Sequence, residues 1–131
     1  MKTQQLELEL VIEKADDGQI WGRVNYEDSL VVDVAISISE LEDQIRQLLK
    51  RQHQVNPDRI SFFHTFDLQT FFEQYSFLKI SDIASLSGIN AGLVRQYASG
   101  VKNPSANQIK KIEDTVHRLG QQMQQLKLVA G

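Results

Sequence analysis

Apolar and polar residues alternate along residues 6–36, with the period of a half-buried β-strand. The stretch LELELVIE at the start of this region places leucine or isoleucine at every second position, with glutamate at most of the others. The turn Asp16-Asp17-Gly18 follows, and an Asp-Gly pair tolerates the positive φ angles of a tight hairpin. Alternation resumes at about 19–26, and the apolar segment LVVDVAI follows at about 30–36, which predicts two further strands. We therefore expect a β-meander.

The period then changes to that of an amphipathic helix in SISELEDQIRQLLKRQ. Ser39 and Glu42 have the spacing of a capping box, which predicts that Ser39 is the N-cap. Asn56-Pro57-Asp58 is expected to end the helix, and residues 60–64 to form a fourth strand. The pattern therefore predicts an α+β domain over residues 1–65, with a β-β-β-α-β order and a helix packed on the sheet. The apolar stripe of the helix consists of Ile38, Leu41, Ile45, Leu48 and Leu49.

The second half of the chain has helical spacing throughout, so residues 66–131 are predicted to form an all-helical domain. Asp67 can cap a first helix, and helices follow at about 80–87 and 91–98. Ser105, after a break at Asn103-Pro104, can cap a long last helix. The residues expected to face inward on the first two helices are Leu68, Phe71, Phe72, Tyr75, Ile80, Ile83, Ala84 and Leu86.

Several residue types between positions 80 and 105 suit two short helices joined by a tight turn. Ala84 is small, so two helices can cross closely there. Gly88 suits a turn with positive φ, and Asn90 suits the N-cap of the next helix. Gly100 suits the C′ position after that helix. Together these positions predict a helix-turn-helix, anchored in the core by Val94 and Tyr97.

The stretch ISDIASLSGINAGLVRQYASGVKNPS resembles a helix-turn-helix of the Xre/repressor type, and the resemblance covers roughly residues 67–117. It implies that the second motif helix lies in the major groove of a double-stranded DNA operator. The alternative is a helical hairpin with no role in DNA binding. The resemblance implies groove-facing residues Asn90, Ala91, Gly92, Arg95, Gln96 and Ser99, and phosphate-contact residues Lys79, Ser81, Ser99, Lys102, Asn103 and Ser105.

Most of the base-reading chemistry in this helix is expected from Arg95 and Gln96. Glutamine can form two hydrogen bonds with adenine, and arginine can bind guanine or a phosphate. Ala91 offers only a methyl group and Gly92 only backbone, so we expect few base contacts from the start of this helix. Ile80 departs from the family pattern, because that position is frequently a polar phosphate contact.

The last helix has a 3-4-3-4-3 spacing of apolar residues, which is typical of a coiled-coil seam. Two interpretations follow. The first three residues can close the core of the helical domain, and the last three can pack against the first half or against a second chain. A homodimer is expected. The seam consists of Ile109, Ile112, Val116, Leu119, Met123 and Leu126.

The first half, with "VIEKADDGQIWGRV" and "SISELEDQIRQLLK" followed by a helix-turn-helix, resembles the HicB-like antitoxin family. In place of that family's Pro-Gly-Cys-like segment after the second strand, this chain has NYEDSLVVDV. The resemblance implies that the N-terminal domain binds a basic HicA-like toxin, an RNase, and that the protein represses its own operon. The candidate partner-binding residues are Glu7, Glu9, Glu13, Asp16 and Asp17, for which ordinary solvated strand faces are the alternative.

Charge supports two halves with different partners. Residues 1–65 hold seven basic and twelve acidic residues, a net charge of −5, whereas residues 66–131 hold seven and five, a net charge of +2. An acidic surface suits a basic RNA-cleaving partner. Two other functions stay open: a regulator whose first half senses a small ligand, and a protein-interaction module or inhibitor without DNA binding.

The composition narrows the chemistry. The chain has no cysteine, which excludes disulfides and thiolate chemistry. The three histidines are widely spread, and no phosphate-cradling glycine loop or nucleophile motif is present. We expect no enzyme activity, no cofactor and no metal. No apolar run approaches the ~18 residues of a membrane span, and no secretory signal is visible, so a soluble cytoplasmic protein is expected.

Overall fold

The computed structural model describes residues 4–131. The chain divides into two compact units, with the division after Thr70. No helix within residues 4–131 has the combined length and apolar character that crossing a membrane requires. The architecture is α+β, because the first unit contains a mixed four-stranded sheet and helices follow it along the chain.

The first unit has the predicted β-β-β-α-β order. The strands are β1 (Leu6–Lys14), β2 (Ile20–Tyr26), β3 (Ser29–Ala35) and β4 (Ile60–Phe66), and the helix α1 is Ile38–His53. The sheet order is β3-β2-β1-β4, so the first three strands form the predicted antiparallel meander. β4 adds to the other side of β1 in parallel, after the chain has crossed the sheet through α1.

The core of the first unit lies between α1 and one face of the sheet. As the alternation predicts, Leu8, Leu10 and Ile12 of β1 are buried and the glutamates between them are exposed. Each fully buried aliphatic side chain contributes roughly 1.5–3 kcal/mol relative to exposure. The full set of buried aliphatic residues in this core is Leu8, Leu10, Ile12, Ile20, Val24, Val31, Ala35, Leu41, Ile45, Leu49, Val55 and Ile60.

Gly22 of β2 lets α1 lie close to the sheet. A Cβ at this position would lie 2.5 Å from Cδ2 of Leu41 and 3.0 Å from Cδ1 of Leu10. A larger side chain at this position would force the packed Leu41 and Leu10 side chains to move. The glycine therefore sets the helix–sheet distance in the middle of the core.

Helix α1 begins two residues before the predicted capping box. Its N-cap is Ser37, whose Oγ accepts a hydrogen bond from the backbone N–H of Glu40 at 3.1 Å, so the prediction of Ser39 was wrong. Ser37 has extended backbone angles, as an N-cap requires, and Ser39 already lies inside the helix. The helix ends at His53, with Gln54 in the left-handed region at φ 56°, before the predicted Asn-Pro-Asp stop.

The β2–β3 turn is tighter than its sequence indicates. Tyr26 pairs with Ser29, and the two residues between them, Glu27 and Asp28, have φ angles of 45° and 65°. Two-residue hairpin loops with positive φ at both positions favour Asn-Gly, because most side chains clash with the backbone there. Backbone strain falls chiefly on Glu27, since aspartate, like asparagine, tolerates the left-handed region.

The described residues after Thr70 are helical, with no strand among them. α2 spans Leu68–Gln74 across the division, α3 is Ile80–Ser87, α4 is Ala91–Ala98 and α5 is Ala106–Gln124. The hydrogen bond from the Thr70 backbone N–H to Oδ1 of Asp67, at 2.6 Å, confirms the predicted cap of α2. The buried apolar residues of the helical unit are Phe72, Ile83, Ala84, Ile89, Val94, Tyr97 and Ile112.

Two apolar residues that were predicted to face inward are exposed instead. Leu86 is 54% exposed. Ser87 lies one helical turn after Ile83 and Ala84, so Ser87 rather than Leu86 occupies the inward side of α3. Ile109 is 42% exposed, so the prediction that it closes the helical core was wrong. Further along α5, Ile112 is buried, Val116 and Leu119 are half-buried, and Met123 and Leu126 are exposed.

Candidate nucleic-acid interface

The turn between α3 and α4 is fixed by backbone geometry. Gly88 has φ 71° and caps the end of α3, where its N–H points at the last carbonyls of that helix. The backbone N–H of Ile89 then donates to the carbonyl of Ala84 at 3.0 Å, and the Ile89 side chain is buried. The predicted left-handed glycine is therefore confirmed, and the next helix begins at a defined angle to α3.

Asn90 caps α4 as predicted. Its Oδ1 accepts a hydrogen bond from the backbone N–H of Leu93 at 3.2 Å. Gly92 stands beside this cap, since a Cβ on it would lie 3.0 Å from the same Oδ1. The small side chain at 92 leaves the cap undisturbed and leaves the start of α4 open to a close approach by another molecule.

Helix α4 has one buried side and one exposed side. Val94 and Tyr97 are buried, as the anchor prediction requires. Helical residues follow one another at about 100° around the axis, so the side opposite Val94 and Tyr97 carries residues 92, 95, 96 and 99. All four of these residues are exposed: Gly92, Arg95, Gln96 and Ser99. Asn90 is also exposed and Ala91 is half-buried at the border of this side.

Arg95 and Gln96 are free to bind an external molecule. Arg95 makes no ion pair or side-chain hydrogen bond within the described residues, and the same holds for the side chain of Gln96. The Gln96 backbone carbonyl is occupied instead, because the N–H groups of Val101 and Lys102 donate to it at 3.0 and 3.2 Å. These bonds fold the loop after α4 back against the end of the helix.

That loop carries the other predicted phosphate contacts. Gly100 has φ 81°, which confirms the C′ prediction, and Lys102 and Asn103 are exposed. The hydroxyl of Ser99 donates to the Gln96 carbonyl at 3.2 Å. The hydroxyl oxygen of Ser105 accepts from the N–H of Gln108 at 3.2 Å as the predicted N-cap of α5, so its own proton is still available to a phosphate.

The start of α3 has no side-chain cap. Lys79 is the N-cap residue but makes no side-chain cap hydrogen bond, so the first backbone N–H groups of the helix have no side-chain acceptor. Lys79 and Ser81 are exposed next to them. The uncapped N–H groups and the helix dipole favour an anion at this place, whereas the carboxylate of Asp82 in the same first turn opposes one.

A hydroxyl pair between α3 and α5 was not found from the sequence. Thr115 is fully buried, and its Oγ1 lies 2.9 Å from Oγ of Ser87 and 2.9 Å from the carbonyl of Lys111. Ser87 Oγ also lies 2.7 Å from the Ile83 carbonyl. Ser87 and Thr115 fall at core-facing positions of their helices, and that periodicity was the available signal. The pair ties α5 to α3.

The five acidic candidates of the first unit fall in two places. Glu7, Glu9 and Glu13 lie on the sheet face opposite α1, and Asp16 and Asp17 lie in the β1–β2 turn. Glu13 forms an ion pair with Arg23 at 2.9 Å, and Glu9 accepts a hydrogen bond from the Thr65 hydroxyl at 2.7 Å. Oδ1 of Asp17 accepts from the Gln19 N–H. The side chains of Glu7 and Asp16 have no partner within the described residues.

The sheet face opposite α1, here called the outer sheet face, also carries exposed apolar side chains. Four of them are 43–60% exposed, namely Trp21, Leu30, Val32 and Phe63. Both the alternation of the strands and the register place them on this face, next to the glutamates of β1. An apolar residue at a position that the pattern assigns to solvent was the signal for this surface.

The structure thus brings Arg95, Gln96 and Gly92 together on one exposed helix side and places Lys102 in the loop that leaves it. Within residues 4–131 no group of three or more His, Asp or Glu side chains is arranged to hold a metal ion. Comparisons with protein-family models, with curated proteins and with solved structures gave no significant match to this chain.

Proposed function

We propose that this protein is a sequence-specific, double-stranded DNA-binding repressor, and that α3, the turn at Gly88 and α4 form its helix-turn-helix. One observation carries the proposal. The exposed side of α4 presents an unpaired arginine and an unpaired glutamine directly opposite the buried anchors Val94 and Tyr97. A helix held in this way can enter a major groove with its polar side facing the base edges.

Base reading is assigned to Arg95 and Gln96. The Arg95 guanidinium has the fork geometry that binds O6 and N7 of guanine, and the Gln96 amide can bind N6 and N7 of adenine. Ala91 and Gly92 add no hydrogen bonds, but their small size allows the backbone at the start of α4 to approach the bases. Few base contacts per half-site follow from this arrangement.

Phosphate binding is assigned to groups at the two ends of the motif. The uncapped start of α3 with Lys79 and Ser81 would bind one phosphate, and the loop with Lys102 and Asn103 another. Residues 71–131 contain seven basic and four acidic residues, a net charge of only +3, so the affinity of one copy should be modest and two copies should act together. A homodimer would supply the second half-site, and the exposed side of α5 with Ile109 and Met123 is its proposed contact.

The test is the double variant Arg95→Ala, Gln96→Ala, assayed by fluorescence anisotropy on DNA from upstream of the protein's own gene. The loss of two base contacts should weaken specific binding by about 2–6 kcal/mol and leave the weak nonspecific binding in place. The matched control is Arg51→Ala, Gln52→Ala, an exposed Arg-Gln pair at the end of α1. Unchanged sequence preference in the Arg95/Gln96 variant, with an intact fold, would remove the assignment of these residues.

A second function is favoured by the exposed acidic and apolar side chains of the first unit. In an antitoxin-like protein this unit would bind a basic toxin RNase, and the repressor would then regulate the operon that encodes both proteins. Co-purification with the product of a neighbouring short, basic open reading frame tests this role. Retention of full RNase activity in a mixture of the two proteins would rule it out for that partner.

A further inference from the structure

The outer sheet face has an apolar half on β2 and β3. Trp21 pairs across the strands with Val34, and Val32 pairs with Arg23. Trp21, Val32 and Arg23 line a shallow depression of about 170 Å³, to which β1 contributes Val11 and Glu13. Exposed tryptophan beside aliphatic residues in a depression is the composition of a protein-binding anchor site, since burying apolar surface away from water lowers the free energy.

The other half of the face is acidic. Glu7 and Glu9 follow each other along β1, and neither forms an ion pair within the described residues. Arg23, the one basic side chain among the outward-facing residues of the four strands, is already paired with Glu13 at 2.9 Å. Residues 1–70 as a whole contain seven basic and thirteen acidic residues. Nucleic acids and anionic lipid surfaces are therefore repelled, whereas a basic surface is attracted.

Some backbone groups at the two edges of the sheet are already occupied. On β3 the N–H of Val34 donates to its neighbour Asp33 at 2.8 Å, and the Val34 carbonyl accepts from Nε2 of Gln44 at 2.9 Å. On β4 the carbonyl of Ile60 accepts from Nη2 of Arg46 at 3.4 Å. Side chains of α1 thus occupy edge groups that a new strand would need. Strand addition is hindered at Val34 and Ile60, whereas nothing within the described residues covers the outer sheet face.

We propose that the outer sheet face binds an amphipathic basic helix of a partner protein. The leucine-like side of that helix packs on Trp21 and Val32 and places one side chain in the depression. Its lysine or arginine side chains reach Glu7 and Glu9. The docked helix gives the sheet a helix on both faces, the layering that sheets with two apolar faces adopt. This inference deepens the partner-binding role proposed for the first unit and does not depend on DNA binding.

The test uses the full-length, ¹⁵N-labelled protein and a synthetic helical peptide of leucine, alanine and lysine, about 20 residues long because shorter isolated helices are marginal in water. Its leucines recur at i, i+3, i+4 and i+7 and its lysines lie along one adjacent side. Saturable binding should shift the Trp21 indole N–H and the amides of β3. A scrambled peptide of the same composition has no apolar side and should bind at least about tenfold more weakly.

Variants locate the site. Trp21→Thr and Val32→Thr keep strand propensity and should each weaken peptide binding by about tenfold. Glu7→Gln should weaken it by about two- to fivefold at low salt, whereas the matched control Glu40→Gln removes the same charge from exposed α1 and should leave binding unchanged. Val32→Thr should not alter DNA binding, which is measured on the same preparations.

Three results would overturn the inference: equal binding of the scrambled peptide, spectral shifts centred on α1 or α4, or unchanged affinity in both threonine variants. If DNA binding persists alongside any of them, the inference fails alone and the proposed repressor function stands. If shifts centre instead on the Asp16-Asp17 turn, a basic partner still binds this unit but the outer sheet face is not its site.

Discussion

The two units of this chain carry net charges of opposite sign, although both are built around buried aliphatic side chains. Residues 1–70 have a net charge of −6, from seven basic and thirteen acidic residues, and expose apolar side chains on a sheet. Residues 71–131 have a net charge of +3, from seven basic and four acidic residues, and expose a polar side of α4. Buried residues set each fold, whereas the outward residues determine which class of partner each surface suits.

The largest expected effect is a loss of unfolding free energy that is confined to the first unit. Ile45→Ala removes a fully buried side chain from the first core and should lower its free energy of unfolding by about 2–5 kcal/mol. Urea unfolding followed by the fluorescence of Trp21, the only tryptophan, measures this loss. Amide exchange at Ile83 and Val94 should stay unchanged, because they belong to the other core. Equal loss of protection there would mean that the units unfold together.

A smaller effect is expected at the hydroxyl pair of the helical unit. Thr115→Val keeps the shape but removes the group that bonds Ser87 and Lys111, and should destabilise this unit by about 1–2 kcal/mol. The matched control in the first unit is Thr65→Val, where the hydroxyl is exposed and bonds only Glu9. A thermal melt should register a change of less than about 0.5 kcal/mol for the control. Similar values for both variants would show that burial of the Thr115 pair is unimportant.

The strained turn of the first unit predicts a gain in stability. The φ angles at positions 27 and 28 are 45° and 65°. The double substitution Glu27→Asn, Asp28→Gly introduces residues that tolerate such angles and should stabilise this unit by about 1–2 kcal/mol. The midpoint of urea unfolding by Trp21 fluorescence should rise. Asp16→Asn in the other hairpin is the control, since the β1–β2 turn already has Gly18 at φ 82°. A lower midpoint would indicate that the Glu27 or Asp28 side chain makes a contribution that outweighs the strain.

The smallest expected effect concerns helix capping. Ser37→Ala should destabilise the first unit by about 1 kcal/mol, because it leaves the Glu40 N–H without its acceptor. Ser39→Ala is an exposed substitution inside the helix and should change stability by less than about 0.5 kcal/mol. The order of the two unfolding free energies is the measurement. If Ser39→Ala lowered the unfolding free energy more than Ser37→Ala, Ser39 would be the N-cap, as the capping-box spacing predicts.

Most elements of both units could be predicted from local patterns, because period and turn chemistry act over a few residues. The helix starts at Asn90 and Ser105 and the left-handed turn at Gly88 were correct. The sequence could not decide whether Ser37 or Ser39 is the N-cap of α1, since each has a Glu three residues later. The backbone angles show that it is Ser37. The Glu27-Asp28 turn was missed because β2 and β3 impose it against the preference of its residues.

Candidate sites were predictable to different extents. The exposed side of α4 follows from Val94 and Tyr97 being buried, so Arg95 and Gln96 could be placed from spacing alone. The outer sheet face could not, because it combines Trp21 from one strand with Val32 and Phe63 from others. Strand order and register bring these residues onto one surface, and neither is encoded in the alternation of a single strand.

The sequence by itself determined the periods, the turn at Gly88 and the separation of charge between the two halves, because these depend on each residue and its near neighbours. The tertiary structure decided that β4 pairs in parallel with β1, that Gly22 sets the distance of α1 from the sheet, and that Thr115 meets Ser87. These contacts join residues far apart in the chain, where the free energy of packing and of buried hydrogen bonds exceeds local preference.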